Sequence, residues 1–326
     1  MADSASLKDK TSLYHKGVVS KLKVYKTDSQ PNNNNNTPIL QTNRLSDNQI
    51  IHYSNKSEAP IGLFDSGVGG LSVYKHLAQQ LPAERYIYYA DTKHVPYGNR
   101  ESRDIEDLTL NAIEWLYNQG CKLIVIACNS ASAYALEVAR YRYPQLPIVG
   151  LVPALKPAVL NSKTGKIAVL ATKATLQGDL LNEVITEVAA PRGYIVTKYF
   201  DPHLVLWVEA GMPEYSETAE RLKQMLKDFY AEGIDYLVLG CTHYPFFREF
   251  LLRQINDNQW SIQVVDSGQA IAARVQHLLV VNKILALDKS NNVTQPLTFY
   301  ASKYDSQLMD MLPRLLGAET IIHFEF

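Results

Sequence analysis

Two stretches end an aliphatic run on a cysteine with polar neighbours: LIVIACNSAS at 123–132, which holds Cys128, and YLVLGCTHYP at 236–245, which holds Cys241. A thiol between a buried strand and a following helix meets unpaired backbone N–H groups and the positive end of the helix dipole, which favour the thiolate. With an ordinary thiol pKa of about 8.5, modest tuning leaves both protonation states accessible near neutrality, so each thiol is a candidate acid or base. Asn129 and Ser130 flank the first cysteine, and Thr242 and His243 the second. These side chains can hold carboxylate and ammonium groups or pass a proton. Two thiols from distant parts of a chain suit one task well. One thiolate removes a proton from a carbon while the opposite thiol supplies another, inverting a stereocentre with no redox change. Two other classes stay open: a cysteine hydrolase using Cys241 with His243, and a small-molecule binding scaffold that needs neither thiol. Cys121, at the start of a strand and without polar company, reads as core packing.

Composition narrows the field further. The 326 residues carry a formal net charge of −1, which offers no electrostatic case for nucleic acid or an anionic membrane as partner. No apolar run reaches the roughly 18 to 20 residues of a membrane helix, and the opening MADSASLKDK lacks the apolar core of a secretory signal. Three cysteines, an odd number, argue against a disulfide framework and for a reducing compartment, so a cytoplasmic location is expected. CxxC and HExxH spacings are absent, and no metal is expected.

The elements that must position these groups follow from periodicity. Short β-rich runs at 61–64, 86–90, 123–127, 147–150, 166–171, 194–200, 236–240 and 262–266 alternate with helical patterns at 70–81, 101–119, 131–143, 176–188, 214–232, 246–256 and 269–281. Nearly continuous apolar strands between amphipathic helices predict an α/β fold with parallel sheets covered on both sides, arranged as two sheets. In such folds ligands bind beyond the carboxyl ends of the strands. Asp65, Cys128, Cys241 and Asp266 all stand there, with Ser66, Asn129, Ser130, Thr242, His243 and Ser267 beside them. Thr172 and Thr175 follow another strand end. Residues 1–57, with NNNNN near their centre, predict a flexible extension.

Five ordered motifs carry a family likeness: GLFDSGVGGLSV (62–73), YYADTKHVPYGNR (88–100), IACNSASAYALE (126–137), LGCTHYPFF (239–247) and VVDSGQAIA (264–272). Over about residues 60 to 280 the chain resembles glutamate racemase of the cofactor-independent aspartate/glutamate racemase superfamily. The resemblance implies two similar α/β domains with the active site in the cleft between them, here 58–152 plus 264–326 and 153–263. It implies interconversion of L- and D-glutamate for peptidoglycan synthesis without a cofactor. Cys128 and Cys241 match the two acid/base cysteines, with Asp65 assisting the first and His243 the second. Asp65, Ser66, Tyr97, Gly98, Asn129, Ser130, Thr242 and His243 match substrate contacts, Thr175 joins them, and Glu209 matches an acidic position that orients the histidine. Aspartate racemase is the near alternative, with a shorter substrate pocket. LVPALKP after 150 departs from many members, which carry an acidic residue before the proline, and this resembles the branch in which a peptidoglycan precursor acts as activator. Oligomeric state is left open, a homodimer among the alternatives.

Overall fold

The computed structural model describes residues 51–286, 297–317, 320 and 322–325. Its strands are Ile61–Asp65 (β1), Tyr86–Ala90 (β2), Leu123–Ile126 (β3), Ile148–Gly150 (β4), Lys166–Ala171 (β5), Ile195–Tyr199 (β6), Tyr236–Gly240 (β7), Gln263–Val265 (β8), Leu297–Ala301 (β9) and Ile322–Glu325 (β10). Its helices are Leu71–Gln80 (α1), Ser102–Asn118 (α2), Asn129–Arg142 (α3), Leu155–Asn161 (α4), Lys173–Gln177 (α5), Asp179–Val184 (α6), Leu204–Glu209 (α7), Glu217–Ala231 (α8), Arg248–Asp257 (α9), Gly268–Val281 (α10) and Ser306–Leu316 (α11).

The strands form two parallel sheets, ordered β10-β9-β2-β1-β3-β4 and β6-β5-β7-β8. The second order repeats the inner part of the first, with β5 in the place of β1, β7 in that of β3 and β8 in that of β4. In each sheet the chain steps from the central strand to one side and then returns to the other, so a topological switch point lies between β1 and β3 and again between β5 and β7.

Side chains alternate along β1: Leu63 enters one core with Tyr88 and Val125, and Phe64 enters the opposite core with Ile124 and Ile126. Because helices cover both faces, the strand is buried throughout, which is why it reads as an unbroken apolar run ending in one carboxylate. Cys121 packs in the same layer as Phe64, and a Cβ at Gly62 would approach its sulfur to 3.0 Å. That thiol is core packing, as its surroundings in the sequence suggest.

Several expectations need correction. The first fifty residues of the expected flexible extension lie outside the described residues. Its last part, 51–57, is tied down: Ile51 N–H donates to Asn118 O at 2.8 Å, and Lys122 Nζ donates to the Ser57 carbonyl at 2.8 Å. The boundary expected at 264 falls inside β8, which pairs with β7 in the second sheet. The return to the first layer comes later, with Ile271, Ala272, Val275 and Leu279 of α10 packing into its core, and β9 and β10 then extend the first sheet. The helix expected over 176–188 begins at Lys173, because Thr172 caps it, and breaks at Gly178, whose backbone is extended. A Cβ at Gly178 would stand 2.6 Å from that of Ala133, so glycine allows a close approach to α3 there.

Lys122 also forms a buried ion pair with Glu84, Nζ to Oε2 at 2.5 Å with both side chains 1% exposed, and Ala286 N–H donates to Glu84 Oε1 at 2.8 Å. Removing one partner of such a pair strands the other charge. Lys122→Met is therefore expected to cost about 3–5 kcal/mol of stability, read as a lower urea midpoint with an unchanged slope. A midpoint equal to wild type would show that the pair contributes nothing. Among the described residues no helix is long and apolar enough to cross a membrane.

Candidate active site

Both thiols sit at switch points. β1 delivers Asp65 and Ser66, β3 leads into Cys128, Asn129 and Ser130, β5 leads into Thr172, and β7 leads into Cys241, Thr242 and His243. The duplicated strand order thus places one cysteine at the equivalent position of each half. The two ends face a common cavity whose wall includes Ser66, Tyr97, Gly98, Cys128, Cys241 and His243.

On the first side, Cys128 is the N-cap of α3, with Sγ accepting from Ala131 N–H at 3.5 Å. Ser66 Oγ lies 3.5 Å from that sulfur and also donates to Asp65 Oδ1 at 3.4 Å. Asp65 is fully buried. Its Oδ2 accepts from Gly70 N–H and from Tyr88 Oη at 3.3 Å. Burial raises the Asp65 carboxyl above its ordinary range, opposed by the His243 charge and by hydrogen bonds from Gly70, Cys128 and Ser66. Burial likewise pushes the Cys128 thiol upward, the Asp65 charge adds to this, and the contacts with Ser66 and Ala131 N–H only partly oppose it. The expected thiolate preference from the helix dipole is therefore overturned at Cys128. Desolvation in a closed site and the neighbouring Asp65 charge work against the helix terminus and favour the thiol form.

On the second side, His243 is 3% exposed and its Nε2 lies 3.2 Å from Glu209 Oε1. Burial works against its positive charge, but hydrogen bonds to Cys241 and Glu209 outweigh that and raise it to about 10. The imidazole is thus protonated at neutral pH and loses its proton only as pH climbs through that region. A step that needs the imidazolium should show a basic limb in kcat/KM near pH 10, and Glu209→Gln, which removes one raising contact, should move the limb to lower pH. A limb that stays in place in this variant would assign it to another group.

Two hydrogen bonds join the halves at the site: Ser72 Oγ of α1 donates to the Thr242 carbonyl at 2.8 Å, and Ser130 Oγ pairs with Thr172 Oγ1 at 2.9 Å. Gly69 lies at the same seam. A Cβ there would collide with His243 Nδ1 and Thr242 Oγ1, so glycine permits the close approach of the two loops. Asn129 Nδ2 and Tyr244 Oη are buried with no hydrogen-bond partner among the described residues. Both residues line the cavity, and an unmet donor there favours a ligand that brings acceptor oxygens.

Of the expected contacts, Ser66, Tyr97, Gly98, Asn129, Ser130, Thr242 and His243 line the cavity with both cysteines. Asp65 and Thr175 do not. Asp65 stands behind Ser66 and Cys128, so it supports the thiol and does not itself face the cavity. The Thr175 hydroxyl pairs with that of Thr172 at 2.9 Å, and Thr172, the N-cap of α5, is the threonine in the wall. Asp266 is likewise outside the wall, its Oδ1 accepting from Gly268 N–H at 2.9 Å. Glu209 reaches the site only through His243. Unanticipated wall residues are Val95, Pro96, Asn99, Tyr244 and a group at 200–206 that includes Asp201, Val205 and Leu206. Asp201 accepts from Arg221 Nε and from His203 N–H, each at 2.8 Å, which fixes the entry to α7. Among the described residues no cluster of His, Cys, Asp and Glu is arranged to hold a metal ion.

The chain is a duplicated parallel α/β scaffold with a thiol at each switch point, both lining one cavity. A family model for Asp/Glu/Hydantoin racemases matches residues 61–275, and the chain belongs to that family, an isomerase by class. It is 43% identical over 259 residues to the glutamate racemase of Deinococcus radiodurans, covering 79% of this chain and 88% of that protein. Among solved structures it is similar to a glutamate racemase isoform from Bacillus anthracis, with a TM-score of 0.71 and 28% identity over 83% of this chain and 98% of that one. It is also similar to the Escherichia coli glutamate racemase in complex with L-glutamate and the activator UDP-MurNAc-ala, with a TM-score of 0.68 and 31% identity over 81% of this chain and 98% of that one.

Proposed function

We propose that the chain is a glutamate racemase that interconverts the L and D forms by proton transfer between Cys128 and Cys241. The observation that carries this is the pair of thiols lining one cavity from equivalent switch points of two sheets. In one direction the first sulfur, as thiolate, takes the α-proton; the C–H bond breaks, an S–H bond forms, and the carbon holds the electron pair. The second sulfur, as thiol, gives its proton to the opposite face, and the reverse direction exchanges the roles. Asp65 is placed to take the Cys128 proton and prepare the base. His243, protonated beside Cys241, is placed to return one. Burial that makes Cys128 hard to ionise also makes its thiolate a stronger base once formed. Ser66, Asn129, Ser130, Thr172 and Thr242 are the proposed partners for the substrate's polar groups.

No cofactor takes part in this scheme. D-glutamate formed this way serves peptidoglycan synthesis, and the likeness to the E. coli enzyme extends the proposal to a peptidoglycan precursor as activator. The proposed compartment is the cytoplasm, supported by three cysteines that are all free. The Cys241–His243–Glu209 line also has the order of a hydrolase nucleophile, base and orienting acid. That alternative leaves Cys128 idle and predicts a covalent adduct on Cys241 alone. The deciding assay is circular dichroism of L-glutamate and L-aspartate solutions with purified protein and nothing else added. Loss of the L-glutamate signal toward zero, with L-aspartate unchanged, is expected. Turnover of aspartate alone would move the assignment to aspartate, and turnover of neither, with a peptidoglycan precursor then added as activator as well, would end it.

A further inference from the structure

We propose that Asp91 is a positioning residue for this reaction, acting through Tyr97 to set the 95–99 wall of the cavity; the inference rests on the glutamate reading of the site. Asp91 follows β2 directly and is 4% exposed. Its backbone N–H donates to the Asp65 carbonyl at 2.9 Å, so it starts from the same strand end that supports Cys128. Its carboxylate then gathers three groups from different parts of the chain. Tyr97 Oη donates to Oδ2 at 2.6 Å, Ser302 Oγ donates to Oδ1 at 2.7 Å, and His94 Nδ1 stands 2.8 Å from Oδ1.

The hydroxyl of Tyr97 is thus already engaged away from substrate. What Tyr97 contributes to the cavity is its ring edge and the backbone it carries, held at one end by Asp91 and at the other by packing on Phe64, the neighbour of Asp65. The loop has little room to drift, since a Cβ at Gly98 would stand 2.9 Å from Thr172 Cβ in the other half. A shift of Tyr97 therefore moves a wall that meets both halves of the site. Ser302 supplies the far anchor: its N–H donates to Ala90 O at 2.9 Å and its Oγ accepts from Lys93 N–H at 2.9 Å, which staples the segment after β9 to the loop. A buried tyrosine hydroxyl and a half-buried serine hydroxyl share one buried carboxylate, and deleting the carboxylate leaves both without that acceptor.

The test is a double-mutant cycle on Asp91→Ala and Tyr97→Phe, with Asp91→Asn as the milder variant should alanine not fold and thermal melts to monitor structure. Asp91→Ala should raise KM for both enantiomers roughly 10- to 100-fold, with a smaller change in kcat, and weaken D-glutamate binding by calorimetry in parallel. Tyr97→Phe should act in the same direction, and the double variant should be no worse than Asp91→Ala alone, because both changes break one link. Ser302→Ala should give a weaker rise in KM. Additive effects of Asp91 and Tyr97, or a drop in melting temperature with KM unchanged, would overturn the proposal. Failure of the wild-type protein to racemise glutamate would instead remove the functional reading, and this inference with it.

Discussion

Cys128→Ala and Cys241→Ala are each expected to abolish racemisation from both enantiomers, lowering kcat/KM by at least about a thousandfold. Each direction of a two-base transfer uses both sulfurs, one to take the proton and one to give it. A variant that keeps one thiol can break or form the C–H bond on one face only, and no neighbouring group replaces the missing one: Asp65 stands behind Cys128, outside the cavity wall, and His243 belongs to the Cys241 side. The fold should survive, because a sulfur is a small loss and both residues lie at the cavity edge. Melting temperatures near wild type, measured beside the kinetics, separate lost chemistry from lost structure. Cys121→Ala supplies the contrast. That sulfur is packed in the core against Gly62 and away from the cavity, so turnover should persist while stability falls. A single-thiol enzyme predicts a different pattern, with Cys128→Ala retaining substantial turnover.

Asp65→Asn is the second large effect, expected to lower kcat roughly 100- to 1000-fold with little change in KM. The carboxylate is fully buried, it accepts from Gly70 N–H and Tyr88 Oη, and it touches the Cys128 thiol through the same network. Asparagine keeps the size but cannot take up a proton from the sulfur. Its NH2 group must also face donors where the carboxylate offered only acceptors. Because Asp65 does not line the cavity, substrate affinity should hardly move, and this split between kcat and KM distinguishes a proton-handling role from a binding role. A variant within about tenfold of wild type would reduce Asp65 to a former of the turn that follows β1.

Much of this arrangement is legible in the residues themselves. IGLFD, LIVI and YLVLG are apolar on both faces because helices cover both sides of each sheet, and the first polar residues after them are the ones delivered to the cavity. What could not be read is whatever depends on which strands are neighbours. Tyr88 looks like one aromatic in YIYYA, and it supports Asp65 only because β2 lies beside β1. Asp91 gains its Ser302 partner only when β9 comes alongside β2. The choice between Thr172 and Thr175 is one of capping geometry: the first holds the helix start and faces the cavity, while the second turns back to it. The wall around Val205 and Leu206 sits on α7, a helix of six residues, too short for periodicity to announce. β9 and β10 are short runs, the first directly after a polar tract at 287–296 that lies outside the described residues and the second after α11, so neither stands out in the hydrophobic pattern. The acidity of Cys128 shows the limit most plainly. Its position before a helix argues for a thiolate, yet burial and a neighbouring carboxylate, both properties of the folded chain, push the other way.

The most direct test of opposed thiols is the fate of the α-proton in deuterium oxide, followed by mass spectrometry from pure L-glutamate. Two separate sulfurs predict that early D-glutamate carries solvent deuterium at the α-carbon while the remaining L-glutamate stays almost unlabelled. Early deuterium in the recovered L-glutamate, at a level matching the product, would mean that one base serves both faces and would contradict a transfer between Cys128 and Cys241.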